Sequence, residues 1–74
     1  MNFKLALSSG YILQLDLHRK RYVVSGGDYS ACGKYVNQES FQFHNDMLSI
    51  NDGNIHTTVA VNPLEEALIM GALQ

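Results

Sequence analysis

The chain has 74 residues, one cysteine, five Lys/Arg and seven Asp/Glu, for a formal net charge of −2. That length fits a single domain with a modest core, of the kind that leans on a partner when its own burial is thin. The lone Cys32 excludes an intrachain disulfide, and 16% charged residues of mildly acidic balance set up no global field to gather nucleic acid or an anionic membrane.

Near the start, Phe3, Leu5 and Leu7 alternate with Asn2, Lys4 and Ala6, the period of a half-buried strand. This stretch lacks the continuous apolar core of a secretory leader, and no run approaches the roughly 20 apolar residues that span a bilayer. A cytoplasmic protein with no membrane partner is therefore expected. Ser8-Ser9-Gly10 reads as a turn. Tyr11, Leu13, Leu15 and Leu17 then alternate with Ile12, Gln14, Asp16 and His18, the clearest strand in the chain. A hairpin at Arg19-Lys20 leads into a strand through Arg21–Ser25, which Gly26-Gly27-Asp28 breaks.

Residues 29–40 fit neither period well, and a short strand near Gly33 to Asn37 is the reading adopted. Phe41 and Phe43 begin another strand. Asn45-Asp46 makes a two-residue turn, because both side chains tolerate left-handed backbone angles. Leu48 and Ile50 follow, then the turn Asn51-Asp52-Gly53-Asn54, where glycine supplies positive φ. The return strand places Ile55, Thr57, Val59 and Val61 on one face. This register sets Gln42, Ser49 and His56 in one cross-strand row, with His44 on the diagonal.

Asn62-Pro63-Leu64-Glu65 opens a helix. Asn62 can cap it, Pro63 loses no bond at the first helical position, and Glu65 can close a capping box. Beyond Glu66 there is no charge. Leu64, Ala67, Leu68 and Ala72 share a face, expected to dock on the sheet, while Ile69, Met70 and Leu73 lie on other faces. Apolar surface all round asks for cover all round. Burying roughly 300 Å² of it gives about 7 kcal/mol before association entropy, so Ile69, Met70 and Leu73 are the expected partner or oligomer contacts.

The side chains that could carry chemistry are few. His18, His44 and His56 lie on the polar faces of their strands and lack zinc-type spacing, so surface histidines are the plainer reading and no metal is expected. Cys32 has no histidine near it in sequence to serve as base, and reads as a small buried hydrophobe. Ser8-Ser9-Gly10 lacks the strand–elbow–helix context of a nucleophile, and Glu65-Glu66 is explained by capping. Neither glycine-bearing stretch has the spacing or the lysine of a phosphate loop. No catalytic residue and no cofactor is expected. The run Arg19-Lys20-Arg21, beside His18, is the one cationic cluster, suited to an anionic partner, with Tyr22, Tyr29 and Tyr35 as stacking platforms if that partner is a single-stranded nucleic acid.

The fold expected is α+β: an antiparallel meander of five or six short strands, with a small barrel as its nearest variant, and one C-terminal helix, all in one domain over residues 1–74. Its core should hold Phe3, Leu5, Leu7, Leu13, Leu15, Leu17, Tyr22, Val24, Phe41, Phe43, Leu48, Ile50, Val59, Val61, Leu64 and Leu68. The function expected is that of a non-enzymatic interaction module (a regulator, adaptor or inhibitor) that binds another protein or itself as a homodimer. The alternative is a single-stranded nucleic-acid binder using residues 18–21.

Overall fold

The computed structural model describes residues 2–53 and 56–74. Seven strands form two antiparallel sheets, with one helix at the end. The first sheet runs β1 (Asn2–Ala6), β2 (Ile12–Asp16), β3 (Arg21–Gly26) and β4 (Tyr29–Lys34), side by side in chain order. The second runs β5 (Phe41–His44), β6 (Met47–Asn51) and β7 (His56–Ala60), followed by α1 (Pro63–Leu73). The α+β class and the C-terminal helix match the sequence reading. The single meander of five or six strands, and its barrel variant, do not: there are two separate sheets and no closed barrel.

The division falls between β4 and β5. After Lys34 the chain leaves the sheet, and Tyr35 turns into the core, with its N–H donating to the Lys20 carbonyl at 2.9 Å. Its ring meets Phe41 edge-on, centroids 4.9 Å apart. A 3-10 turn, Gln38–Ser40, is then fixed by polar side chains. The Asn37 side chain accepts from the Glu39 N–H at 2.8 Å, and Ser40 Oγ accepts from the Val36 N–H at 3.1 Å. These bonds give the backbone a local alternative to a sheet ladder. The strand expected at Gly33 to Asn37 therefore lies earlier, at Tyr29–Lys34, paired along β3 from Gly26↔Tyr29 to Arg21↔Lys34.

Alternation decides which side chains meet. On the inner face of the first sheet, Leu5, Leu13, Val24 and Ala31 form one cross-strand row, and Phe3, Leu15, Tyr22 and Gly33 the next. On the second sheet, Phe41–Ile50–Thr57 and Phe43–Leu48–Val59 are the inner rows. Residues from both sheets and from α1 close on one hydrophobic cluster, in which Leu13, Val24, Leu48, Ile50 and Ile69 are fully buried. One buried polar contact crosses the core: the Tyr22 hydroxyl and Thr57 Oγ1, 3.0 Å apart. Each satisfies the other, so neither carries the penalty of an unpaired buried hydroxyl.

One turn and one strand glycine behave as their residues dictate. Asn45 and Asp46 take φ of 51° and 61°, as a two-residue hairpin turn of this hand requires. Gly26 lets the Tyr11 ring lie directly across the strand, where any Cβ would collide with it. Tyr11 then packs edge-on against Tyr29. Of the expected core, Leu64 and Leu68 are instead exposed, while Tyr35 and Ile69, which were not expected there, are inside. Ile55 and Asn54 lie outside the described residues.

Candidate functional site

The helix begins with the capping box its sequence announces. The Asn62 side chain accepts from the Glu65 N–H at 2.8 Å, and Glu65 Oε1 accepts from the Asn62 N–H at 2.9 Å. The second carboxylate oxygen does something the motif does not specify. Glu65 Oε2 accepts from the Ser8 N–H at 2.6 Å, in the turn between β1 and β2, and Asn62 Nδ2 donates to Ser8 Oγ at 3.3 Å. Glu65 is thus buried with both oxygens engaged, a charge-assisted staple between the helix start and the first sheet.

That staple sets the rotation of α1. With Glu65 aimed at the sheet, Ile69 follows one turn later and is fully buried, and Leu73 packs partly on the core after another. Leu64, Ala67, Leu68 and Gly71 are left facing outward, in an arc of about 100° at 100° per residue. Leu64 is 69% exposed and Leu68 47%. Beside Gly71 there is open space. The result is an uncharged apolar stripe with two leucines and two small residues, one that lets another helix approach closely.

The helical contacts read from the sequence are therefore redistributed. Ile69 is a core residue and is not presented outward; Met70 and Leu73 are half-buried; the outward apolar residues are Leu64 and Leu68. Apolar pattern alone could not have found this, since either face of α1 is apolar. The Glu65–Ser8 bond decides it, and it links residues 57 positions apart.

The other candidate residues stand apart from one another. His44 pairs with Met47 and His56 with Asn51, so the two histidines lie four residues apart along β6, about 14 Å. The expected row of Gln42, Ser49 and His56 is in fact Gln42, Ser49 and Thr58. Among the described residues no group of three or more His, Cys, Asp and Glu gathers in metal-binding geometry. Cys32 is exposed on the outer face of the first sheet, opposite Val23, and is not the buried hydrophobe expected.

Arg19, Lys20 and Arg21 are all exposed at and beside the β2–β3 turn. Asp16 holds that turn: its Oδ1 accepts from the Arg19 N–H at 3.0 Å and the His18 N–H at 3.2 Å. The Arg19 N–H bond, aided by that of His18 and by the Arg19 charge, keeps the Asp16 carboxyl below its ordinary range. The aromatic platforms expected beside the turn are absent from its surface. Tyr22 and Tyr35 are buried, and Tyr29, though exposed, stands against Tyr11 at the other end of β3 and β4. Burial, with the Asp16 charge adding to it, raises the Tyr35 phenol above its usual value.

No described helix is long and apolar enough to cross a membrane. Comparison with protein-family models, with curated proteins and with solved structures finds no match to this chain.

Proposed function

We propose that this protein is a non-enzymatic interaction module that docks through the outward stripe of α1, with a second copy of the chain as the occupant. The supporting observation is the exposed run Leu64, Ala67, Leu68 and Gly71 on a helix whose rotation is locked from the other side. Among the described residues no cluster of acid–base or nucleophilic side chains competes with this reading: Cys32 lies on the first sheet, and His44 and His56, though both on the outer face of the second, stand four residues apart along β6.

The magnitude sets the class of interaction. Leu64 and Leu68 together leave somewhat more than one leucine in water on each copy. Covering them on two copies returns about 3.5–7 kcal/mol, with smaller additions from Ala67 and Gly71. Association costs at least about 4 kcal/mol. The complex is therefore weak and reversible, with a Kd of about 1 mM or weaker. Sedimentation velocity across a concentration series tests it. A reversible dimer abolished by Leu68→Glu supports the reading, and a strict monomer at all concentrations removes it.

A further inference from the structure

All five Lys and Arg of the chain belong to the first sheet and its β2–β3 turn. Residues 1–34 hold these five against Asp16 and Asp28, a balance of +3; residues 35–74 hold five acids and neither Lys nor Arg, a balance of −5; together they give the net −2. The register gathers the cations further. Asn2, Asp16, Arg21 and Lys34 form one cross-strand row, and Lys4, Gln14, Val23 and Cys32 the next, both on the outer face. Lys4, Arg21 and Lys34 are all exposed there, and Arg19 and Lys20 are exposed in the turn that enters the first row. An open groove of about 430 Å³ crosses this face between Lys4, Gln14, Arg21 and Val23. Asp16 is the one acid in the row, and its carboxylate already accepts two backbone N–H groups of the turn.

We infer that the outer face of the first sheet binds the phosphate backbone of duplex nucleic acid, independently of sequence. Lys34, Arg21 and Lys4 stand on strands that together span about 14 Å, enough to reach phosphates on both sides of a minor groove about 6 Å wide. Among the described residues no aromatic residue takes an outward strand position on this face: Phe3, which borders the groove, and Tyr22 alternate inward, and Tyr29, although exposed, is in the inward register and packs against Tyr11. A protein partner would call for an apolar, aromatic-rich centre that this face lacks. A single strand would lose the base stacking that holds it. A duplex needs only cations and polar donors, and presents the denser charge. The overall charge of −2 does not veto this contact. None of the five acids of residues 35–74 stands in these outer-face rows, and Asp52, which reaches the first sheet, sits against Gly33 on the inner side of β4.

Fluorescence anisotropy with a mixed-sequence 20-base-pair DNA duplex tests the proposal. Binding should be salt-sensitive, with log K falling against log salt at a slope of about −3 to −4. The double variant Arg21→Ala/Lys34→Ala should lower that slope by about 2, while Glu39→Gln/Glu66→Gln leaves it unchanged. Leu68→Glu should bind the duplex as the parent does, so a failure of helix-mediated pairing and a failure of this proposal are separable. Absence of binding at low salt would overturn it. So would an unaltered slope in the Arg21/Lys34 variant, tighter binding of a single strand of the same length, or tighter binding of poly-glutamate, which would point to an acidic protein partner.

Discussion

Glu65 shows how one residue can carry two jobs, only one of them visible in its neighbours. Its place three residues after Asn62 makes the capping box legible, and both reciprocal bonds form. Its bond to the Ser8 N–H has no sequence signature, because Ser8 is distant in the chain and reads simply as a turn residue. Replacing Glu65 with alanine removes the box and leaves a part-buried N–H unpaired at Ser8. The expected cost is about 2–4 kcal/mol in urea unfolding, from a lost cap and a lost charge-assisted bond. Glu65→Gln, which keeps an acceptor oxygen without the charge, should cost less.

At the scale of elements, the strands with one dry and one wet face were the readable ones. Leu13 and Leu15 in β2, Tyr22 and Val24 in β3, Leu48 and Ile50 in β6, and Thr57 and Val59 in β7 all point inward as their alternation requires. The strand β4 was not readable, because it is an edge strand with no buried residue and a weak alternation of small side chains. The helix was readable in its start and its type but not in its rotation. Its two faces compete on equal apolar terms, and a hydrogen bond outside the helix chooses between them. A pair of substitutions measures that choice. Ile69→Ala should destabilise by about 2–5 kcal/mol, as for a fully buried side chain, whereas Leu68→Ala should lie within about 0.5 kcal/mol of the parent. Equal losses at the two positions would contradict the rotation described.

The whole molecule is two short sheets and a helix around one core, with the cations gathered on the outside of one sheet. The break into two sheets escaped the sequence because its signal is polar and local: Asn37 and Ser40 capture backbone N–H groups, with no glycine or proline between Lys34 and Phe41 to mark the end of a meander. Hydrogen exchange should resolve the resulting hierarchy. Amides of the central strands β2, β3 and β6 should exchange slowest, and those of the edge strand β4 faster, since opening at an edge exposes fewer buried contacts. Neither surface proposed here was in the expected list as it stands. The helical stripe is the complement of the face first assigned to partners. The cationic face extends the Arg19-Lys20-Arg21 cluster by Lys4 and Lys34, which only strand pairing brings beside it.

The outward stripe of α1 is the centre of this account, and sedimentation velocity from micromolar to millimolar protein tests it most directly. The parent chain should begin to dimerise reversibly as its concentration reaches about 1 mM, and Leu64→Glu/Leu68→Glu should stay monomeric with an unchanged melting temperature. A parent that remains monomeric throughout, or a double variant that still dimerises, would contradict it.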